Sequence, residues 1–193
     1  MSISIRPTFP WPCLVSLALC GCGGSTTPAP HEDGGITMKL TSPAFGAGDA
    51  IPKEYTEDGT YVSPALRWQE VPGGTKSFAL ICDDPDAPDP DAPKMTWVHW
   101  VLYNLPPDVS ELPKGMPADK ELPSGAKQGT NDFKKIGYGG PAPPAGKPHR
   151  YFFKLYALDT KLDLPAGATK AQVEKAMAKH ILGKGELMGR FGR

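Results

Sequence analysis

Apolar and polar residues alternate with period two along "ITMKLTS", beginning at Ile36, as in a strand with one face turned to a core. Downstream, "SPALRWQEV", the apolar run "SFALIC", "TWVHWVLYNL" and "RYFFKLYAL" are rich in β-branched and aromatic residues and predict further strands. One segment carries the helical period instead. Val173, Ala176, Met177, His180 and Ile181 share a face, Thr169 stands at the N-cap with Gln172 three residues on, and Gly183 is expected to end the helix. The 22 Gly and 23 Pro residues are spread between the apolar runs, which implies many turns and a mainly β chain. At 193 residues and 39% hydrophobic content, there is enough chain for one well-buried domain.

The first residues follow another pattern. Residues 1–21 carry Arg6, a short apolar stretch from Cys13 to Leu19 and then small residues, the layout of an export signal. The order Leu19, Cys20, Gly21, Cys22 resembles a bacterial lipoprotein signal, in which cleavage leaves Cys22 as a lipid-modified first residue; Gly23 after it is compatible with outer-membrane sorting. The apolar stretch is shorter than the roughly 20 residues needed to cross a bilayer. Residues 22–35, which include His31, lack any apolar period and read as a flexible tether, so the folded domain is expected over residues 36–193. The whole chain balances 21 Lys and Arg against 21 Asp and Glu, and loss of residues 1–21 removes only Arg6, giving 0 − 1 = −1. Those charges are interspersed, which argues against nucleic acid as a partner. Cys82 is the single cysteine left in the domain, so no disulfide is expected within it.

Chemistry concentrates in three places. "CDDPDAPDPDAPKMTWVHW" sets Asp84, Asp86, Asp89 and Asp91 between prolines, a stiff loop expected after a strand ending at Cys82. Asp89 and Asp91 read as a solvated turn. Alternation along "TWVHWVLYN" puts Trp97, His99, Val101 and Tyr103 on one face, which leaves His99 either a satisfied buried histidine or a pocket residue. The same test on "HRYFFKLYAL" groups His149, Tyr151, Phe153 and Leu155, with Arg150, Phe152, Lys154 and Tyr156 opposite. Arg150 is therefore expected to pair with a buried carboxylate, and Asp86 is the partner assigned to it. The third place is the Gly- and Pro-rich stretch "GTNDFKKIGYGGPAPPAGKPHR", whose Gly139 and Gly140 let backbone N–H groups come close to an anion. Cys82 lies in an apolar run where a thiol stays unreactive, and His180 reads as a hydrogen-bonded core or boundary residue.

"DPDAP", "WVHW", "NDF…GYGGP.PP.G" and "HRYFF.LYALD", in this order and spacing, resemble the bacterial branch of the phosphatidylethanolamine-binding proteins, also called Raf kinase inhibitor-like proteins. "SPALRW" and "HILGKGELMGRFGR" extend the resemblance over roughly Ile36 to Phe191. It implies an antiparallel β-sandwich of the phosphatidylethanolamine-binding type with a C-terminal helix, and a small anion pocket in place of a catalytic centre. Position by position, it assigns the pocket to Asp84, Pro88, His99, Gly140, His149 and Tyr151. Ala142 stands where relatives often carry Cys or Gly, and no tyrosine follows Tyr156 to supply the phenol some relatives bring from that region.

The leading expectation is thus an exported binding protein, not an enzyme, with no cofactor and no metal. Its ligand is a phosphate or a phosphoethanolamine head group, and it is held on the periplasmic side of the envelope by the lipid on Cys22. Protonated imidazoles strengthen anion binding, which predicts an affinity that falls as pH rises from about 5.5 to 8. Two alternatives belong to other classes. A metal-dependent hydrolase could use the same His/Asp cluster, although the chain lacks an H-E-x-x-H spacing. An inhibitor of an envelope protease or kinase would act through its loops, and nothing in the chain names its partner.

Overall fold

The structure, a computed structural model, describes residues 1–3 and 36–193. Cys22, the tether and the export signal beyond residue 3 lie outside the described residues.

Among the described residues, nine strands and one α-helix follow in order: β1 (Ile36–Thr37), β2 (Lys39–Thr41), β3 (Leu66–Gln69), β4 (Ser77–Ala87), β5 (Met95–Leu105), β6 (Glu111–Leu112), β7 (Lys127–Gln128), β8 (His149–Leu158), α1 (Lys170–Met177) and β9 (Ile181–Phe191). They form a six-stranded sheet in the order β1-β9-β8-β4-β5-β7 and a three-stranded sheet β2-β3-β6. Every pairing is antiparallel except that of β1 with β9.

The fold is a mainly β sandwich. Leu40, Leu66, Trp68 and Leu112 of the small sheet pack on Phe78, Leu80, Cys82, Trp100, Leu102, Tyr151, Phe153 and Leu155 of the large one. The opposite face of the large sheet is also covered: Ala79, Ile81, Val98, Val101 and Tyr103 meet Val173 and Met177 of α1 and Leu162 before it. Burial on both faces explains why "SFALIC" is a continuous apolar run with no alternation.

Two boundaries differ from those predicted. Strand β4 does not stop at Cys82 but runs on to Ala87, so the acidic segment Asp83–Asp86 is strand and not loop, with Asp83 and Asp84 paired to β5 and an irregularity at Pro85 and Asp86. Helix α1 opens on the expected capping box, Thr169 with Gln172, but ends at Met177. Ile181 already begins β9, and Gly183 sits inside that strand, where a Cβ would fall 2.7 Å from the Ile36 carbonyl oxygen. Gly183 is there for the close approach of β1 and not as a helix stop. His180 lies between helix and strand, half-exposed, with Nδ1 2.7 Å from Asp159 Oδ1.

Candidate functional site

Strand β5 carries an irregularity that places the site. Across from β4, Cys82 faces Trp100 and Asp83 faces Val98, so His99 is the extra residue of a β-bulge. The bulge resets the parity of the strand. Trp97 and His99 stand on the inner side, and one step later Trp100 and Leu102 do, while Val98, Val101 and Tyr103 face α1. The expectation that Val101 and Tyr103 share a face with His99 is corrected by this one inserted residue.

Strand β8 has no such break at this end. Its burial alternates, with His149, Tyr151, Phe153 and Leu155 inward. Asp84 of β4 lies across from Trp97, on the pocket side, and its neighbour Asp83 faces away. The three strand ends bound a cavity of about 190 Å³ lined by Asp84, Pro88, Trp97, His99, His149 and Tyr151, roofed by Phe133 and by Ala142, Pro143 and Pro144. The Ala87–Pro88 bond at its rim is cis.

The polar groups of the cavity are joined in pairs. His149 Nδ1 is 2.7 Å from Asp84 Oδ2, with both side chains almost fully buried. The other oxygen, Asp84 Oδ1, accepts the Asp86 N–H at 2.7 Å, so the carboxylate is fixed from two sides. His99 Nδ1 is 2.6 Å from the Gly139 carbonyl oxygen, and the Gly139 N–H returns a bond to the His99 carbonyl. Burial holds the His99 pKa below the ordinary imidazole value and so disfavours the charged form of this ring. The Tyr151 hydroxyl and the Trp97 indole N–H are buried and have no hydrogen-bond partner among the described residues. Burial also pushes the Tyr151 phenol well up, so it remains a donor. Cys82, beneath the floor, has its thiol pushed up by burial and is inert as a nucleophile.

Asp86 and Arg150 come together on the outer side of the cavity. Arg150 Nε and Nη2 donate to the two Asp86 oxygens at 2.9 and 2.7 Å, and the Arg150 backbone N–H adds a third bond at 2.9 Å. Those bonds hold the Asp86 carboxyl below the usual carboxylate range. Asp89 and Asp91 form an exposed turn, with Asp91 bound to Lys147.

Gly140 is placed differently from the expectation. It lies behind the wall and not on the cavity, packed so closely on residues 55 and 56 that a Cβ would fall 2.7 Å from the Tyr55 carbonyl oxygen. Its role is to let the roof loop rest on the turn at Lys53–Tyr55. Phe133, Pro143 and Pro144 carry no sequence signal of a place on the cavity; Phe133 sits in the "NDF" motif, where its distance along the chain from either histidine gives no sign of contact. Among the described residues no three His, Cys, Asp or Glu side chains are grouped closely enough to hold a metal ion, so the hydrolase alternative gains no support.

Comparison with known proteins bears on this arrangement. The family model described as "Phosphatidylethanolamine-binding protein" matches residues 41–192. The UPF0098 protein of Methanothermobacter thermautotrophicus is 51% identical over 156 residues, covering 81% of this chain and 99% of the relative. Among solved structures, a phosphatidylethanolamine-binding protein homologue from Chlamydia trachomatis superimposes with a TM-score of 0.73 at 43% identity, covering 81% of this chain and 98% of that one. YbcL of Escherichia coli superimposes with a TM-score of 0.72 at 34% identity, covering 82% and 99%.

Proposed function

This chain belongs to the phosphatidylethanolamine-binding protein family, and from that premise we propose that its cavity binds a small phosphate-type anion, either free phosphate or a phosphoethanolamine head group, without catalysis. The observation that carries the reading is the convergence of Asp84, His99, His149 and Tyr151, from three strands, on one cavity whose remaining walls are apolar. A buried N–H of Trp97 and the buried O–H of Tyr151 lack partners among the described residues, and a buried donor left unmatched costs about 1–3 kcal/mol. An oxyanion between the strand ends recovers that cost. Asp84 fixes the ring of His149 so that Nε2 is the atom offered to the ligand. Apolar walls around few polar groups are the usual make-up of a small-molecule site.

Titration calorimetry of the purified full chain with phosphoethanolamine tests this. Binding is expected for the native chain and at least about tenfold weaker for His149→Ala, which removes one charge-assisted bond. Absence of binding, or equal affinity in the variant, refutes the reading.

The same proposal places the protein on the periplasmic side of the cell envelope, tethered by a lipid on Cys22. The support is the sequence of residues 1–22. Cys22→Ser is expected to move the chain from the detergent phase to the aqueous phase in a phase-partition assay, and an unchanged partition removes the anchor from the account.

A further inference from the structure

The two imidazoles of the cavity are not equivalent, and on the anion-binding reading just given the difference limits which anions fit. The carbonyl oxygen of Gly139 only accepts hydrogen bonds, so at 2.6 Å His99 Nδ1 must carry the hydrogen. In the neutral ring Nε2 is then a bare lone pair. Burial opposes charging that ring: His99 is 2% exposed and stands edge-on to Phe133 and Tyr151 at centroid distances of 5.4 and 5.1 Å. The ionisable groups that face it are Asp84 and Asp83 of β4 and Tyr151 of β8, and desolvation outweighs the opposing pull of the Gly139 and Gly140 backbone and of the two carboxylates. His149 differs in its partner, because its Nδ1 faces a carboxylate 2.7 Å away, a ready counter-ion for a ring that donates to a ligand from Nε2–H. Both rings are anchored through Nδ1.

The cavity therefore offers a ligand donors from His149 and Tyr151, a further unmatched N–H on Trp97, and, besides the Asp84 carboxylate already bonded to His149 and Asp86, an acceptor in His99 Nε2. A bare anionic oxygen set against that lone pair is repelled, whereas a hydroxyl is matched. We propose that the site selects oxyanions that carry a hydrogen of their own, with a P–OH donating to His99 Nε2 while the bare oxygens accept from His149 and Tyr151. Inorganic phosphate and singly protonated phosphomonoesters belong to this class. Sulfate and phosphodiesters, which include an intact phospholipid head group, do not.

Calorimetry on the full chain with four probes tests the proposal: inorganic phosphate, sulfate, phosphoethanolamine and glycerophosphoethanolamine. At about pH 8 phosphate and sulfate are dianions of similar size, so their ratio isolates the hydrogen; phosphate is expected to bind roughly tenfold or more tightly, the effect of one mismatched buried hydrogen bond. Phosphoethanolamine is expected to weaken about tenfold per pH unit above its second ionisation near pH 6, where its P–OH is lost, while inorganic phosphate is retained. The diester is expected not to bind. His99→Gln, which puts an N–H donor near the lone pair, is expected to bring the phosphate-to-sulfate ratio towards unity. Sulfate or the diester binding as tightly as phosphate to the native chain, or a ratio unchanged in His99→Gln, overturns the selection and leaves the anion pocket standing. If none of the four probes binds, the pocket reading and this inference fall together.

Discussion

At the scale of single residues, Asp86 and Arg150 show how a pair can be structural while sitting beside a binding site. The Asp86 side chain is 5% exposed and Arg150 47%, so water reaches one partner and not the other. Truncating Arg150 to Ala leaves a buried carboxylate with only the backbone N–H of residue 150, at an expected cost of about 1–3 kcal/mol, less than the loss of one partner from a fully buried pair. His149→Ala also strips a carboxylate of a partner, but its ring lines the cavity, and removing it lets water reach Asp84. Arg150→Ala is therefore the more destabilising change by denaturant titration, and the reverse ranking refutes the structural role. Acid adds a second reading of the same pair. Because Arg150 lowers the folded-state pKa of Asp86 from the usual 3.8, the pair stabilises the fold fully above about pH 4 and loses that contribution as pH falls below it. Arg150→Ala is expected to flatten this acid limb.

At the scale of elements, what the sequence discloses depends on whether a strand keeps its period. Along β8 the alternation is unbroken from His149 to Leu155, and counting by twos finds the inward set. Along β5 the same count holds only as far as His99, because the bulge inserts a residue that parity cannot detect: Trp100 is no less apolar than Val101, so both registers look equally good. The β4 extension was hidden for another reason. Five consecutive residues from Asp83 to Ala87 include a proline and three aspartates, a composition that depletes strands, and the strand carries them with each carboxylate matched. Asp83, fully buried on the α1 side, is held by Lys154 of β8 at 2.8 Å and by Lys170, the first residue of α1, at 2.5 Å. Adjacent acids on one strand thus serve opposite faces, Asp83 tying down the helix and Asp84 aiming His149. The helix end is not legible in the sequence, because residues 178–181 continue the apolar spacing of α1 although Ile181 is already paired with Leu158 of β8.

At the scale of the whole domain, the roof of the cavity is held by a residue that no local pattern marks. Arg193, beyond β9, donates from Nε to Asp58 at 2.9 Å, from Nη2 to Glu57 at 2.8 Å and from Nη1 to the Pro143 carbonyl at 3.2 Å, and its own carbonyl accepts the Gly146 N–H. The Glu57 N–H reaches the Pro141 carbonyl at 3.0 Å, and Gly140 rests on Tyr55 and Thr56. Three regions distant in sequence therefore meet at the loop that carries Ala142, Pro143 and Pro144 over the ligand site. The prolines restrict the shape of this loop, while the Arg193 contacts fix its height above the strand ends. These ion pairs are partly exposed, and such pairs contribute about 0–1 kcal/mol to stability, so Arg193→Ala is expected to leave the melting temperature within a few degrees of the native value. Affinity responds differently, because a released roof must be reordered each time a ligand is enclosed; about 1 kcal/mol of that ordering weakens inorganic phosphate binding roughly fivefold. Calorimetry paired with thermal melts separates the two effects. A large drop in melting temperature with unchanged phosphate affinity makes Arg193 a fold residue and disconnects it from the site; weaker binding at constant stability establishes that the far end of the chain sets the ceiling of the pocket.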